Sequence, residues 1–275
     1  MNPAISYKGK VVFMKLSMPS FSRTLKSYVE DEACFMFLNK GEVNVRTQDD
    51  YLKLNQNVGM LAKCLNYFFE PSQNNDACND GIEAIGIFLY PSLVKELFEF
   101  DLSTSQHQVN YNVKQVQIDK MLNVYKESIN ILLENPELAD ESIVETKLKE
   151  FVLLASKSEG APSQLDFLSA LFKPNEVEFK TTIQQNLFAN LSLDELALLC
   201  HLSLSSFKRK FIEVYGESPK KYINRKKIEK AAQLLQSPES RISDVAFDVG
   251  FDSLATFNRN FTQVFGKSPS KYRLS

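Results

Sequence analysis

The chain has 275 residues, 44% of them hydrophobic, with four cysteines, two histidines and a net charge of −2. That length supports two packed domains, while no apolar run reaches the roughly 18 residues of a membrane span and the start MNPAISYKGK lacks the apolar stretch of a secretory signal; a cytoplasmic protein is expected. Cys34, Cys64, Cys78 and Cys200 form no CxxC pair and are expected as reduced thiols, and the isolated His107 and His201 leave no metal or cofactor site to propose.

In chain order, residues 10–90 predict short β segments at 10–16, 33–38, 42–47, 66–70 and 82–90, where β-branched and aromatic residues cluster between turn residues. Asn39-Lys40-Gly41 is expected to join two of them as a tight hairpin, and Thr47 to Asp50 to form a second turn. PSQNNDACND (71–80) predicts an exposed loop. The whole stretch points to a small antiparallel barrel or sandwich.

After Pro91 the apolar period lengthens to 3.6 residues. Helices are expected at 92–100, at 116–133 with Ile118, Met121, Leu122, Tyr125, Ile129, Leu132 and Leu133 on one stripe, and at 138–156 with Ile143, Leu148, Val152 and Leu153. Such a pair either covers the core of the β unit or carries a dimer seam. Gly160 and Pro162 mark a linker region at 158–175, although a short helix fits 164–172. Domains are therefore expected at 1–160 and 176–275.

The carboxy-terminal part repeats itself. FKRKFIEVYGESPKKY (207–222) returns as FNRNFTQVFGKSPSKY (257–272), the hallmark of a duplicated structural unit. Each copy predicts a helix-turn-helix, 193–200 with the helix through Phe207 and Phe211, then the helix ending at Gly250 with the helix through Phe257 and Phe261. The copies align at an offset of 49 before the turn and 50 after it, so the second turn is one residue longer. A helix over 219–236 bridges them. From residue 177 onward there are 15 Lys/Arg against 10 Asp/Glu, a balance of +5; the remainder holds 17 against 24, a balance of −7. A basic third on an acidic body suggests a polyanion partner for that third. An exposed Lys/Arg helix fits the major groove of DNA, and two held by one bridging helix fit successive grooves.

These residues also resemble a known family. LSLDELALLCHLSLSSFKRKFIEVYGESPKKYINRKKIEKAAQLLQ followed by ISDVAFDVGFDSLATFNRNFTQVFGKSPSKYR is similar to the DNA-binding domain of the AraC/XylS family of bacterial transcription regulators. The likeness covers about the last hundred residues. Its second copy carries Ala246, Gly250, Phe251, Ser253, Phe257, Arg259, Phe261, Phe265, Gly266, Ser268, Pro269, Tyr272 and Arg273 at the family's spacing.

The resemblance implies base-edge contacts at Ser205, Lys208 and Arg209 in the first copy and at Leu254, Ala255, Asn258 and Arg259 in the second. Leu254 and Ala255 offer only apolar contact, to a thymine methyl, so the second copy is expected to read more tolerantly. Lys210, Lys220, Lys221, Arg225 and Asn260 are expected at phosphates. For Lys226, Lys227 and Lys230 a solvated face is as good a reading as contact.

The resemblance further implies an amino-terminal, cupin-like regulatory barrel (10–90) followed by helices (91–157) and an all-α carboxy-terminal domain, an α+β chain. The segment Phe21 to Glu70 is similar to regulators of virulence and secretion genes that a partner protein controls. Phe13, Phe35, Phe37, Tyr67, Phe68 and Phe88 either line an apolar ligand pocket or fill a core. No histidine falls among the strands, and no nucleophile with a paired base or phosphate-binding glycine loop occurs, so an enzyme is not expected. The implied function is an activator of transcription. Promoter DNA, RNA polymerase, a small-molecule or protein effector and a homodimer partner are expected. An architectural DNA-binding protein with little sequence preference is the alternative.

Overall fold

The computed structural model describes all residues except 1, 19–21, 27–31, 64, 73–80, 174, 238–239 and 275. Cys64, Cys78, most of the loop expected at 71–80 and Pro174 lie outside the described residues. The chain forms two compact units, Met1–Glu176 and Val177–Ser275.

Among its described residues the first unit holds ten strands: β1 (Ala4–Tyr7), β2 (Lys10–Met18), β3 (Thr24–Lys26), β4 (Ala33–Lys40), β5 (Val43–Arg46), β6 (Tyr51–Leu54), β7 (Val58–Ala62), β8 (Tyr67–Pro71), β9 (Ile82–Leu89) and β10 (Val113–Gln117). A six-stranded sheet runs β1-β2-β9-β4-β7-β10 and a four-stranded one β3-β8-β5-β6, with every pairing antiparallel. Both contribute to one core, in which Phe13, Phe35, Phe37, Val43, Val45, Tyr67 and Phe69 are buried. Burying each large apolar side chain stabilises the fold by about 1.5–3 kcal/mol.

The Asn39-Lys40-Gly41 turn is not a hairpin. β4 pairs with β7 and β9, and β5 with β6 and β8, so at this turn the chain passes from one sheet to the other. Gly41 makes the passage with φ +83°, where an added Cβ would stand 2.7 Å from the Gly81 carbonyl oxygen. The second turn does close a hairpin. Thr47 Oγ1 accepts from Asp50 N at 2.9 Å between β5 and β6.

The helices of this unit are α1 (Pro91–Phe98), α2 (Lys120–Glu134), α3 (Glu141–Ser158) and α4 (Gln164–Leu171). Val116 belongs to β10, not to a helix: it pairs with Gly59, and α2 begins only after the Asp119 carboxylate caps Leu122 N at 2.8 Å. That starting phase turns Leu122, Tyr125, Ile129, Leu132 and Leu133 inward but leaves Met121 57% exposed. In α3 the buried stripe is Val144, Leu148, Phe151, Val152 and Ala155, while Ile143 and Leu153 face outward. The stretch expected as a linker, 158–175, carries α4, whose Phe167, Leu168 and Leu171 join the core of the first unit; that unit extends to Glu176.

The elements described in the second unit are all helices: α5 (Phe179–Asn186), α6 (Leu193–Leu199), α7 (Leu204–Tyr215), α8 (Pro219–Leu234), α9 (Ile242–Asp248), α10 (Leu254–Phe265) and α11 (Pro269–Arg273). It has two cores. Ile183, Leu196, Ala197, Phe207 and Phe211 build one; Ile228, Ala231, Leu235, Val245, Ala246, Val249, Phe257 and Phe261 build the other.

Candidate nucleic-acid interface

The duplication in sequence is a duplication in packing. Phe207 and Phe211 pack with ring centroids 5.7 Å apart, and Phe211 lies 4.5 Å from Tyr215 and 5.5 Å from Tyr222. Fifty positions on, Phe257 and Phe261 are 5.6 Å apart, with Phe265 at 4.9 Å and Tyr272 at 5.3 Å from Phe261. These rings sit on one face of α7 and of α10. Their opposite faces are therefore free for contact.

The turns are also equivalent. α6 ends with His201 N donating to Leu198 O and Leu202 N to Ala197 O; α9 ends with Gly250 N donating to Phe247 O and Phe251 N to Ala246 O. Both are Schellman endings that require a left-handed residue, supplied by His201 at φ 53° and Gly250 at φ +81°. Ser203 then caps α7 by accepting from Ser206 N, and Ser253 caps α10 by accepting from Thr256 N. Counting from these fixed points, the extra residue of the second turn is Asp252.

That insertion takes part in a polar tie. The Asp252 carboxylate accepts from Asn190 Nδ2 at 3.3 Å, and the Lys227 ammonium donates to Gly250 O at 2.7 Å and reaches Asn190 Oδ1 at 3.5 Å. Asn190 precedes α6, Lys227 lies on α8 and Gly250 ends α9, so one buried lysine connects the two helix-turn-helix units. Lys227 is 8% exposed, which excludes the solvated face allowed for it by sequence. Burial lowers its pKa, although nearby Asp252 opposes the shift. A Cβ on Gly250 would meet Lys227 Nζ at 2.8 Å. Gly250→Ala is expected to cost about 1–2 kcal/mol from the left-handed backbone alone, and more from the displaced ammonium. Adding Lys227→Met should recover only that second part, as read by thermal denaturation.

The outer faces carry the residues expected at bases. Ser205, Lys208 and Arg209 are all exposed near the start of α7, as are Leu254, Ala255, Asn258 and Arg259 on α10. Each set falls on the first two turns of its helix, the part that enters a groove in helix-turn-helix proteins. The residues expected at phosphates divide. Lys220, Lys221, Arg225 and Asn260 line one groove of about 440 Å³ between the start of α8 and α10, together with Ser218 and Asn224. Lys210 lies elsewhere, its ammonium 5.3 Å above the Phe179 ring. Within the groove Arg225 is already engaged: Nη2 donates to Glu217 at 2.5 Å and Nη1 to Glu229 at 2.7 Å, and these carboxylates raise its pKa further. Its first role is to fasten the turn after α7 to α8. Lys226 is also paired with Glu229, at 2.8 Å, whereas Lys220, Lys221 and Lys230 are exposed. Sequence reasoning missed Asn190 and the part of Asp252 in this tie, reading Asp252-Ser253 only as a helix cap; the offset change from 49 to 50 was the available signal for Asp252.

Of the six aromatic residues considered for a ligand pocket, Phe35, Tyr67 and Phe88 line a cavity of about 190 Å³ with Met14, Met36, Phe69 and Cys34. Phe13, Phe37 and Phe68 are buried but do not line it. The Cys34 thiol there lies 3.2 Å from the Tyr67 hydroxyl, and burial pushes its pKa up to about 11. Cys200, the other described cysteine, is likewise unpaired by disulfide, its thiol pushed up to about 12.

A duplicated helix-turn-helix unit that follows a β-sheet unit along the chain is the arrangement of a class of bacterial transcription regulators. Residues 196–275 match a helix-turn-helix domain model, and residues 33–167 match the model of the ExsA N-terminal regulatory domain. The chain belongs to the AraC/XylS family. It is similar to the virulence regulon transcriptional activator VirF of Yersinia enterocolitica, 32% identical over 151 residues that cover 52% of this chain and 54% of VirF. The thermoregulatory protein LcrF of Yersinia pestis is 30% identical over 146 residues, again 52% of this chain and 54% of that protein. The chain thus aligns with about half the length of these curated relatives. A solved structure of ToxT from Vibrio cholerae overlaps 96% of this chain and 98% of its own, with 14% identity and a TM-score of 0.37.

Proposed function

We propose that the protein is a sequence-specific transcription activator that reads two adjacent major grooves of promoter DNA with α7 and α10. The observation that carries this reading is the pair of exposed faces, Ser205-Lys208-Arg209 and Leu254-Ala255-Asn258-Arg259, each backed by the same aromatic packing and held by the Lys227 tie. Two such helices reach grooves about one helical turn apart, roughly 10 bp. Lys220, Lys221 and Asn260 serve phosphates, which fix register without carrying sequence information. Its relative VirF bears the name of a transcriptional activator, and RNA polymerase is the partner such a role requires.

The first unit supplies control, through a small molecule or a protein partner, and a dimer contact. The dimer reading is supported by Met121, Val124 and Ile131, which stand 57%, 57% and 55% exposed at helical spacing on α2. No helix among the described residues is long and apolar enough to cross a membrane, in keeping with work on cytoplasmic DNA.

The apolar Leu254 and Ala255 favour a second reading, an architectural protein with little sequence preference. Binding of the whole chain to an in vitro selected duplex and to random DNA at one salt concentration separates the two. The activator reading expects roughly 10³-fold or greater preference for the selected site. Equal affinity would establish the architectural one.

A further inference from the structure

Lys63 is 2% exposed, yet among the described residues its ammonium has only neutral partners in hydrogen-bond reach: Lys173 O at 3.0 Å and Asn175 Oδ1 at 3.4 Å. Tyr111 lies beneath it, 5.6 Å from ammonium to ring centroid. No carboxylate among the described residues forms an ion pair with it. A buried charge without a counter-charge is costly, and here burial lowers the ammonium pKa to about 8. Lys63 lines a cavity of about 270 Å³ together with Asn175, one of its ammonium's partners, and Val109 and Ala170 make that cavity partly apolar.

We propose that this cavity binds a small organic carboxylate, whose charge would compensate Lys63. The size falls just under that of pockets for drug-sized ligands, so a short-chain acid fits better than a large one. Lys173 adds a second cation to the lining, but its ammonium already donates to Ser105 O at 2.9 Å. Glu176, exposed at the same cavity, disfavours a second negative charge on the ligand. His107 and Gln108 complete the polar wall. The site is distinct from the aromatic cavity between the strands, since the two share no lining residue.

The cavity is built where the first unit ends. Asn112 Nδ2 donates to Asn175 O at 2.9 Å and Asn175 N donates to Asn112 Oδ1 at 2.6 Å, while Asn175 Nδ2 donates to Val109 O at 2.9 Å. With Lys63 on Lys173 O, these bonds fasten the last residues of the unit against β7 and the approach to β10. A ligand that draws on the Lys63 ammonium therefore acts on that fastening. This inference deepens the proposed control by a small molecule, but binding is measured without DNA, so its failure leaves the DNA-binding reading intact.

The test is calorimetric titration of the full chain with butyrate, with inorganic phosphate and with butanol, at matched ionic strength and pH 7. Saturable binding of one butyrate is expected, with phosphate and butanol at least about tenfold weaker, a difference of roughly 1.4 kcal/mol. Lys63→Met should abolish binding while leaving the circular dichroism spectrum at that of the parent, because methionine suits a buried site. Glu176→Gln should tighten butyrate binding. Unchanged affinity in Lys63→Met, preference for phosphate, or no saturable binding of butyrate would each overturn the proposal.

Discussion

Phe261→Ala is expected to destabilise the second unit by about 3–5 kcal/mol, the cost of truncating a fully buried aromatic side chain. Phe261 is 0% exposed and its ring packs on Phe257, Phe265 and Tyr272, so its loss opens a cavity where α10, α11 and the long helix α8 converge. That sum is a large share of the 5–15 kcal/mol by which domains are stable. Urea denaturation of the whole chain, followed by far-ultraviolet circular dichroism, should show an early transition in this variant. Val264→Ala on the same helix provides the control: Val264 is 43% exposed, and its truncation should stay within about 0.5 kcal/mol. If the two variants melted alike, the aromatic lattice would not be what holds the helix-turn-helix together.

This lattice was legible in the sequence because duplication wrote it twice. A repeat 50 residues on fixes which phenylalanines must do the same job, and Gly216 and Gly266 end α7 and α10 with φ of 71° and 70°. The strands were less legible. Residue pattern located several of them, but nothing local states which sheet a strand joins, so Asn39-Lys40-Gly41 reads as a hairpin although it links different sheets. β10 follows α1 and then returns to pair with β7, a contact some fifty residues distant that no local periodicity encodes. Lys227 is the clearest case within the candidate site. Inside RKKIEK it looks like one more solvated charge, and its partners Asn190 and Gly250 lie 37 and 23 residues away. Only the fold turns it into a buried tie.

The two base-reading faces should fail differently when their arginines are removed. α7 carries Lys208, Arg209 and Lys210, so Arg209→Ala leaves cations beside the vacated position. α10 carries Arg259 and no other lysine or arginine. Arg259→Ala is therefore expected to weaken binding to a selected site by about 1–3 kcal/mol, roughly 5- to 150-fold, and to relax preference at the base it reads. Arg209→Ala should fall at or below the lower end of that range. Arg259→Lys separates charge from geometry: lysine retains the cation but not the planar fork that matches guanine O6 and N7. It should restore affinity for random DNA without restoring the selected preference. Competition binding at fixed salt measures all three. An unchanged preference in Arg259→Ala would mean that α10 only grips the backbone, and that α7 alone chooses the site.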